Sequence, residues 1–299
     1  MSILLPNGIP AREILSKEGV SLLGENTPML PKEERLQIAI VNLMPTKEVT
    51  ETQLCRLLGG TELPVEVTFV KMASHHSKNT SDEHMEKFYV PFSAIADQYF
   101  DGVIITGAPI EHLEFTEVDY WDELCEVMEW TKTHARTTLH ICWGAQAGLY
   151  YHHGIPKKAL DSKMFGIFKH RVETADSKLF KGFPDTFYIP HSRHTTVERA
   201  EIEKCPAIQI LASSDKAGVY ACREDECFRF YLTGHSEYDA RTLEKEYLRD
   251  KNLGLSIAVP ENYYPNDDDT QEPPLVWRES ARILFGNWVR EFVAKAPEK

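Results

Sequence analysis

Along the first half of the chain, short apolar runs alternate with segments whose apolar residues recur every three or four positions. The short runs are rich in β-branched residues and predict buried strands, whereas the longer spacing is typical of amphipathic helices. The predicted strands are residues 37–44, 64–72, 101–106 and 137–141. The predicted helices are residues 46–58, 118–128 and 144–151. This alternation predicts a parallel sheet with helices on both faces and a site at the carboxyl ends of its strands.

Beyond Gly154 the apolar runs shorten and turns separate them, which is typical of hairpins rather than of strand–helix–strand units. The candidate strands there are residues 187–189, 208–211, 218–222 and 228–232. Two predicted helices, residues 241–251 and 279–294, close the chain. The buried stripe predicted for the last helix is Ile283, Leu284, Trp288, Val289 and Phe292. The predicted fold class is α/β, a parallel sheet flanked by helices on both faces, with added hairpin strands and C-terminal helices.

Residues 1–35 mix glycine, proline and charge without a sustained period. They predict an N-terminal extension laid over the domain rather than part of its core. Residues 36–299 are predicted to form a single catalytic domain. Within it, residues 260–274 include three consecutive aspartates and predict an exposed acidic loop.

The charge balance narrows the class of partner. Thirty-three Lys and Arg against 46 Asp and Glu give a net charge of −13, which argues against a nucleic-acid surface because phosphate binding needs a basic face. A small molecule or a protein is the expected partner. Since the N-terminus lacks a signal-peptide pattern and no apolar run approaches the ~18 residues that span a bilayer, we expect a soluble cytoplasmic protein.

Cysteine and histidine usage argues against a disulfide scaffold and against a metal site. The six cysteines are Cys55, Cys125, Cys142, Cys205, Cys222 and Cys227. They form no CxxC pair and are too sparse for a disulfide framework, so reduced thiols are expected. His75 and His76 are adjacent, but no further ligands stand at a defined spacing, so they are expected to be loop residues and no metal is predicted.

Cys142 occupies the corner at which the strand at 137–141 turns into the helix at 144–151. A nucleophile there lies at the sheet's carboxyl edge, beside a helix N-terminus whose free N–H groups and dipole favour a thiolate. The backbone N–H of the next residue, Trp143, is well placed to donate to a developing oxyanion. The alternative, one more buried cysteine, is disfavoured by this strand–corner–helix context.

The loop after the strand at 101–106 runs through Gly107, Ala108 and Pro109. Backbone N–H groups in a glycine-containing loop at a strand's end can form the second half of an oxyanion hole. This loop is therefore the candidate partner of the Trp143 N–H.

His235 and Glu237 follow the strand predicted at 228–232. Because they are two residues apart, both point to the same side of an extended segment and can reach one site. A thiol nucleophile needs a base to move its proton, and the base needs a partner to fix its tautomer. The pair is therefore predicted to serve Cys142; the alternative is a loop histidine paired with a neighbouring acid.

These motifs resemble a known family. HICWGAQAG and GHSE resemble the nucleophile and base motifs of class I glutamine amidotransferase-like domains, which have a flavodoxin-like fold. The wider set resembles the homoserine O-acyltransferases of bacterial methionine biosynthesis over essentially the whole chain. That set is VNLMPTKEVTETQ, ITGAPIE, DYWDEL, LHICWGAQAGLYYHHGI, PHSRHT, GHSEYD and NWV.

The resemblance implies a ping-pong acyl transfer. Cys142 would take an acyl group from acyl-CoA as a thioester, and the side-chain hydroxyl of L-homoserine would accept it. His235 would act as the base and Glu237 would orient it. The resemblance also implies a homodimer and no cofactor beyond acetyl-CoA as co-substrate.

Further site residues come from the resemblance alone. Lys163, Ser192 and Arg249 match the family's homoserine-site positions, and a cation such as Arg249 suits the amino acid's carboxylate. Their alternative is ordinary surface charge or hydroxyl. Lys47, at the end of the first strand, is a weaker site candidate.

Glu111, together with Ser192, matches a position associated with acyl-CoA specificity. In the family, Gly at the position two after the GAP proline is associated with succinyl transfer and Glu with acetyl transfer. A carboxylate lining the acyl pocket would repel succinate's own carboxylate by up to ~4 kcal/mol at close range. Acetyl-CoA is therefore the predicted donor, unless Glu111 is an exposed loop acid.

Three alternatives stay open. The first is a succinyl-CoA-dependent homoserine O-succinyltransferase with the same mechanism. The second is a glutamine amidotransferase-type hydrolase; against it, His140 stands where those enzymes usually carry Gly and no synthetase domain is attached. The third is a catalytically silent binding module, which would be expected to lose a member of the triad.

Overall fold

One eleven-stranded sheet forms the centre of the part of the chain that the computed structural model describes, residues 2–75, 79–224 and 228–295. The strands are β1 (Ile3–Leu4), β2 (Leu36–Val41), β3 (Val65–Lys71), β4 (Tyr89–Pro91), β5 (Gly102–Ile105), β6 (Thr138–Ile141), β7 (Lys158–Val172), β8 (Thr186–Thr196), β9 (Ile208–Ser214), β10 (Gly218–Glu224) and β11 (Arg229–Leu232). The helices are α1 (Pro10–Lys17), α2 (Lys47–Gly59), α3 (Asp82–Phe88), α4 (Trp121–His134), α5 (Trp143–His153), α6 (Arg199–Glu203), α7 (Thr242–Asn252) and α8 (Arg278–Trp288). A π-helical turn, Val289–Val293, continues α8.

The sheet has a parallel half and an antiparallel half. Strands β3, β2, β5, β6 and β11 are neighbours in that order and run parallel, while β1 and β4 both pair with the outer edge of β3. Strands β10, β9, β7 and β8 continue the sheet with antiparallel pairing. The predicted fold class, a parallel sheet with helices and added hairpin strands, is confirmed.

Strand β11 joins the two halves and positions the site. It pairs antiparallel with β10 and parallel with β6, with Leu232 opposite Ile141. Both strands therefore end at the same edge, where the N–H of Cys142 donates to the carbonyl of Leu232 at 2.7 Å. The residues that follow β6 and β11 in the chain are thus brought together by the register of this pair.

Strand β7 and helix α3 are absent from the sequence prediction. The first seven residues of β7 are exposed or only half-buried, so no apolar run marks it, and its register with β8 shifts between Ala159 and Met164. Helix α3 is only seven residues long. Ser81 precedes it and caps it, since the Ser81 side chain accepts a hydrogen bond from the N–H of His84. The helix is too short to show an apolar stripe in the sequence.

The N-terminal segment does belong to the core, so the expectation that residues 1–35 lie outside it is wrong. Ile3, Leu5, Ile9 and Leu15 are buried in the main apolar cluster with α2 and α8. A Cβ on Gly59 would lie 2.7 Å from Val20, which shows how closely α2 packs on this segment. Its apolar residues are spread over a strand, a turn and a helix, so no single period exposes them. The assignment of residues 36–299 to one domain stays a prediction.

The two C-terminal helices pack in different apolar clusters, α8 in the main cluster and α7 in a second cluster with β7. In the predicted stripe of the last helix, Ile283 is only half-buried, whereas the other four residues are buried. In the acidic loop, Tyr263 and Tyr264 are buried against Trp277, while most of the aspartate run stays exposed. Among the helices of the described residues, none has the length and apolarity needed to cross a membrane.

Candidate active site

Cys142 lies at the corner between β6 and α5 in a strained backbone conformation. Its φ of 51° and ψ of −116° place it in a region that residues with side chains rarely adopt, and the residue is buried. Its carbonyl accepts hydrogen bonds from the N–H groups of Ala145 at 3.0 Å and Gln146 at 3.1 Å. Such strain, of order 1–3 kcal/mol, persists only where the surrounding structure fixes it and is concentrated at functional sites. The corner aims the thiol out of the sheet's carboxyl edge, as a nucleophile requires.

Small residues allow this corner to form. A Cβ on Gly144 would lie 2.5 Å from the carbonyl oxygen of Thr106. Only glycine therefore fits at this second position of α5. A Cβ on Gly107 would lie 3.2 Å from the Cβ of Cys142 and 3.7 Å from the Cε1 of His235. The loop after β5 is thus in contact with both the nucleophile and the candidate base.

His235 and Glu237 are paired and buried beside Cys142. The Nδ1–H of His235 donates to Oε1 of Glu237 at 2.6 Å, which leaves Nε2 for the nucleophile. The N–H of His235 donates to the carbonyl of Pro190 at 2.9 Å, and its ring stacks on Tyr238 with centroids 4.1 Å apart. The side chain therefore has little rotational freedom, and the three predicted triad residues meet at one place.

The charge of the His235 imidazole depends on its two neighbours, Cys142 and Glu237. Burial acts to lower the pKa of His235, but attraction to Cys142 and Glu237, with hydrogen bonds to both, raises the pKa well above its usual value. The imidazolium form is thus favoured while a thiolate faces it. A resting thiolate–imidazolium pair, with Glu237 beside it, stays a prediction.

Two backbone donors are available near the thiol. Trp143 is the first residue of α5, and N–H groups in the first turn of a helix have no carbonyl acceptor within that helix. The Gly107 loop is fixed because the hydroxyl of Thr106 accepts from the N–H of Leu43 at 2.8 Å and donates to the carbonyl of Gly107 at 3.1 Å. An oxyanion hole built from these two segments stays a prediction.

Lys163 and Ser192 converge on a carboxylate that the sequence did not single out. The hydroxyl of Ser192 donates to Oε2 of Glu246 at 2.5 Å, and Nζ of Lys163 lies 3.5 Å from the same oxygen. The hydroxyl of Tyr238 donates to the other oxygen of Glu246 at 3.1 Å. Because Tyr238 also stacks on His235, this cluster adjoins the triad.

Arg249 joins the same cluster through Asp250. Its Nε donates to Oδ1 of Asp250 at 2.6 Å, while Nζ of Lys163 lies 3.7 Å from the other oxygen of that carboxylate. The Arg249 side chain is 61% exposed and so is open to a ligand. Glu246 stands three residues before Arg249 on α7, and this helical spacing was the one signal that could have revealed it.

Glu111 is buried, at 7% exposure, so the alternative of an exposed loop acid is wrong. It lines a cavity of about 190 Å³. The other lining residues are His112, Glu114, Lys157, Ala159, Leu160, His194 and Thr195. The ammonium group of Lys157 donates to the carbonyls of Glu111 and Leu113, both at 2.6 Å, and so fixes the loop.

Lys47 has local contacts. Its ammonium group donates to the carbonyls of Asn42 at 2.6 Å and Met44 at 3.2 Å. Burial lowers its pKa to about 8, against an opposing attraction from Glu51. Within the described chain, no hydrogen bond or ion pair recorded for Lys47 reaches the triad.

The other histidine and cysteine expectations concern loops and free thiols. Nδ1 of His75 pairs with Asp119 at 2.8 Å, whereas His76 and Cys227 lie outside the described residues. The other five cysteines are free thiols. In the ranges that the structure covers, no group of three or more His, Cys, Asp or Glu side chains could hold a metal ion.

Comparison with known proteins identifies the family. A family model described as homoserine O-succinyltransferase matches residues 2–298. The chain belongs to this family. A relative from Brevibacillus brevis named homoserine O-acetyltransferase is 52% identical over 98% of this chain and 96% of its own length. One of the same name from Geobacillus kaustophilus is 53% identical over 98% of this chain and 97% of its own length. The resemblance indicated by the motifs is confirmed.

Solved structures of lower identity show the fold of this family member. A glutamine amidotransferase from Thermotoga maritima superposes with a TM-score of 0.57 at 12% identity, covering 87% of this chain and 99% of its own. One from Methylobacillus flagellatus gives 0.55 at 11% identity, covering 89% and 97%. The fold is therefore of the class I glutamine amidotransferase type.

Removing the charge of Glu237 is expected to weaken the thiolate–imidazolium pair. In Glu237→Gln the pKa of His235 falls, because one of the two anions that raise it is lost. Alkylation of Cys142 by iodoacetamide at pH 7 is expected to slow by about tenfold, the effect of roughly one pKa unit. The measurement is the pseudo-first-order rate of label incorporation at Cys142, read by peptide mass spectrometry.

Glu246→Gln is the matched control, because it neutralises a nearby carboxylate that makes no hydrogen bond to His235. The two variants are assayed at equal concentration after thermal unfolding has shown that both are folded. An alkylation rate in Glu237→Gln equal to that of the control would contradict the assigned role.

Proposed function

We propose that the protein transfers an acetyl group from acetyl-CoA to the side-chain hydroxyl of L-homoserine, by a ping-pong mechanism through a thioester on Cys142. The observation that carries this proposal is the hydrogen-bonded pair of His235 and Glu237 beside a strained, buried cysteine. The family and the names of its relatives support homoserine as the acceptor. The product is O-acetyl-L-homoserine, an intermediate of methionine biosynthesis.

In the first half-reaction the thiolate of Cys142 attacks the carbonyl carbon of acetyl-CoA. The oxyanion that develops is stabilised by the N–H of Trp143 and by the Gly107 loop. The carbon–sulfur bond to CoA then breaks, and the imidazolium of His235 gives its proton to the departing CoA sulfur. This leaves an acetyl-thioester on Cys142 and a neutral imidazole.

In the second half-reaction the neutral His235 takes the proton of the homoserine hydroxyl as the oxygen attacks the thioester carbon. The carbon–sulfur bond to Cys142 breaks, which restores the thiolate, and His235 keeps the proton. The thiolate–imidazolium pair of the resting enzyme is thus regenerated, and protons balance over the cycle.

The cluster beside the triad suits an amino-acid substrate, which carries a carboxylate and an ammonium group. Its members are Lys163, Ser192, Glu246 and Arg249. Arg249 and Lys163 supply cations for the carboxylate, with Arg249 exposed enough to rotate onto it. Glu246 supplies a carboxylate for the ammonium group, and Ser192 supplies a hydroxyl to orient it. A homodimeric, cytoplasmic enzyme that uses no resident cofactor is the accompanying proposal.

Donor choice is assigned to Glu111, with Ser192 as a further specificity position. Because Glu111 is buried at a cavity rather than exposed, its charge is poorly screened. Its repulsion of a succinyl carboxylate is of order 4 kcal/mol at a separation of about 4 Å with an effective dielectric constant near 20. Acetyl carries no charge and is not repelled.

The test is a donor comparison in which free CoA is followed with L-homoserine present. The wild-type protein is expected to prefer acetyl-CoA, and Glu111→Gly to shift kcat/KM towards succinyl-CoA by about a hundredfold or more. Glu114→Gln, a second acid lining the same cavity, is the matched control and is expected to keep the acetyl preference. A wild-type preference for succinyl-CoA would assign the succinyltransferase reaction instead.

A lack of transfer from both donors would contradict the proposal as a whole. Ammonia release from glutamine by the same protein would then indicate the hydrolase, and an unreactive Cys142 would indicate a silent binding module.

A further inference from the structure

Arg193, on strand β8, is a fully buried arginine whose hydrogen-bond acceptors are all neutral. It is 1% exposed. Its Nε donates to Nδ1 of His191 at 3.3 Å, Nη1 to the carbonyl of Thr195 at 2.7 Å, and Nη2 to the carbonyl of Ala217 at 2.5 Å. Over residues 2–75, 79–224 and 228–295, no carboxylate forms a salt bridge with it. Buried arginines are normally paired, so this charge requires an explanation.

The acceptors of Arg193 tie it to the back of the nucleophile corner. The carbonyl of Thr195, which accepts from Arg193, also accepts from Nε2 of Gln146 at 3.2 Å, and the Thr195 hydroxyl donates to the same amide at 2.8 Å. The N–H of Gln146 in turn donates to the carbonyl of Cys142 at 3.1 Å. Thr195 also lines the cavity that contains Glu111. Arg193 is therefore connected through Thr195 to the segment that holds the thiol and to the cavity lined by Glu111, called the acyl cavity below. The Arg193 side chain itself lines a separate cavity with Met164 and Lys216.

The histidines next to Arg193 do not carry a compensating charge. Nε2 of His191 donates to Nε2 of His170 at 3.1 Å, and Nδ1 of His170 donates to the carbonyl of Phe168 at 2.8 Å. This chain of donors is consistent only when the guanidinium donates at its start and both rings are neutral. Burial lowers the pKa of His170 to about 4, and burial and then Arg193 hold that of His191 well below its usual value.

Two nearby side chains, Cys142 and Glu111, act electrostatically on the guanidinium. Burial lowers the pKa of Arg193 to about 10, and attraction to Cys142 and to Glu111 opposes that fall, so the side chain stays cationic at neutral pH. Because Cys142 becomes neutral when it is acylated, Glu111 is the permanent member of this balance. The buried Arg193 and the buried Glu111 thus partly offset each other's charge, and Thr195 connects Arg193 to the acyl cavity.

We propose that Arg193 is a positioning and specificity-determining residue whose buried guanidinium supplies the positive charge that Glu111 balances at the acyl cavity. With Glu111 present its charge offsets that of Arg193, and the cavity takes an uncharged acyl group. With a neutral residue at that position the charge of Arg193 is not offset and attracts an acyl group that ends in a carboxylate. The inference rests on the proposed acyl transfer and adds to it. Removal of Glu111 would abolish the repulsion of a succinyl carboxylate, and it would also leave the attraction of that carboxylate to Arg193 unopposed.

The test separates charge from size by comparing succinyl-CoA with butyryl-CoA, an uncharged acyl donor of similar length. In Glu111→Gly, succinyl-CoA is expected to exceed butyryl-CoA in kcat/KM by about tenfold or more, as for a charge pair in a protein interior. Equal use of the two donors would show that removal of Glu111 only makes room, and would overturn the proposal. This comparison keeps Arg193 in place, so it does not depend on whether an Arg193 variant folds.

The second arm assigns the charge to Arg193. Adding Arg193→Gln to Glu111→Gly is expected to lower the succinyl-to-butyryl ratio by about tenfold, whereas Arg193→Lys in the same background keeps most of it because the cation is retained. A merely structural role would lower turnover with both donors and leave the ratio unchanged, which would overturn the proposal. If Arg193→Gln does not fold, as judged by circular dichroism, the Lys variant and the butyryl comparison still decide it.

Wild-type turnover with acetyl-CoA is recorded in the same experiment. Its absence would refute the proposed function, whereas acetyl transfer with an unchanged donor ratio in the Arg193 variants would refute only the role of Arg193.

Discussion

Cys142→Ala is expected to lose acyl transfer by roughly 10⁴-fold or more, the size of loss seen when a covalent nucleophile is removed from an enzyme. Cys142 is the residue of the strained corner between β6 and α5, and its thiol is aimed at the Gly107 loop. Since Ala has no atom that can carry the acyl group, the ping-pong route is closed. The fold should persist, because a smaller side chain removes little volume from a corner fixed by backbone hydrogen bonds.

The measurement is acetyl-CoA turnover together with intact-protein mass spectrometry in the absence of homoserine. The wild-type protein is expected to gain one acetyl group and Cys142→Ala none. Cys205→Ser is the matched control, because Cys205 is a half-buried free thiol that contacts His153 rather than His235; it should acylate as the wild type does. An acetyl adduct on Cys142→Ala would contradict the assignment of the nucleophile.

The parallel half of the sheet could be predicted because its strands are mostly buried and rich in apolar and β-branched residues. Every residue of β5 and β6 is buried, and both strands stand out in the sequence as short runs of mostly apolar or β-branched residues between turns, although β6 also buries Thr138 and His140. Strand β7 has an exposed first half and could not be recognised in that way. The N-terminal segment was misjudged because its core residues belong to three different local structures.

The meeting of Cys142, His235 and Glu237 at one place could be predicted from local context, whereas the residues around them could not. The strand–corner–helix pattern at Cys142 and the short spacing of His235 and Glu237 are both readable in the chain. Glu246 and Arg193 become informative only through tertiary neighbours: Glu246 through Ser192 and Tyr238, and Arg193 through the absence of a carboxylate among its hydrogen-bond acceptors. Such contacts join residues tens of positions apart and leave no periodic signal.

In the proposed mechanism, the chemistry of the cycle follows from how the charge of Cys142 acts on His235. In the free enzyme the thiolate and Glu237 together overcome burial and raise the pKa of His235. Once the thiol is acylated, the thiolate charge is gone while burial remains, so the pKa of His235 falls. In the proposed cycle His235 is thus expected to act as an acid when CoA leaves and as a base when homoserine is deprotonated.

His235→Gln is accordingly expected to lower both half-reactions by about 10²–10⁴-fold, the usual contribution of a positioned acid–base group. The glutamine side chain can neither protonate CoA nor deprotonate homoserine at neutral pH. Single-turnover CoA release measures the first half-reaction, and transfer from isolated acetyl-enzyme to homoserine measures the second. His75→Gln is the matched control, since His75 pairs with Asp119 on a loop; it should retain wild-type rates in both.

The wild-type pH profiles test the same mechanism without a mutation. Acylation needs the imidazolium, so its rate is lost as pH rises through the raised pKa of His235 in the free enzyme. Transfer to homoserine needs the neutral ring, so its rate grows as pH rises through the lower pKa of His235 in the acetyl-enzyme. The alkaline midpoint of acylation is therefore expected at higher pH than the acid midpoint of transfer. Coincident midpoints would mean that acylation leaves the pKa of His235 unchanged. Loss of the thiolate charge would then not be what makes His235 a base for the second half-reaction.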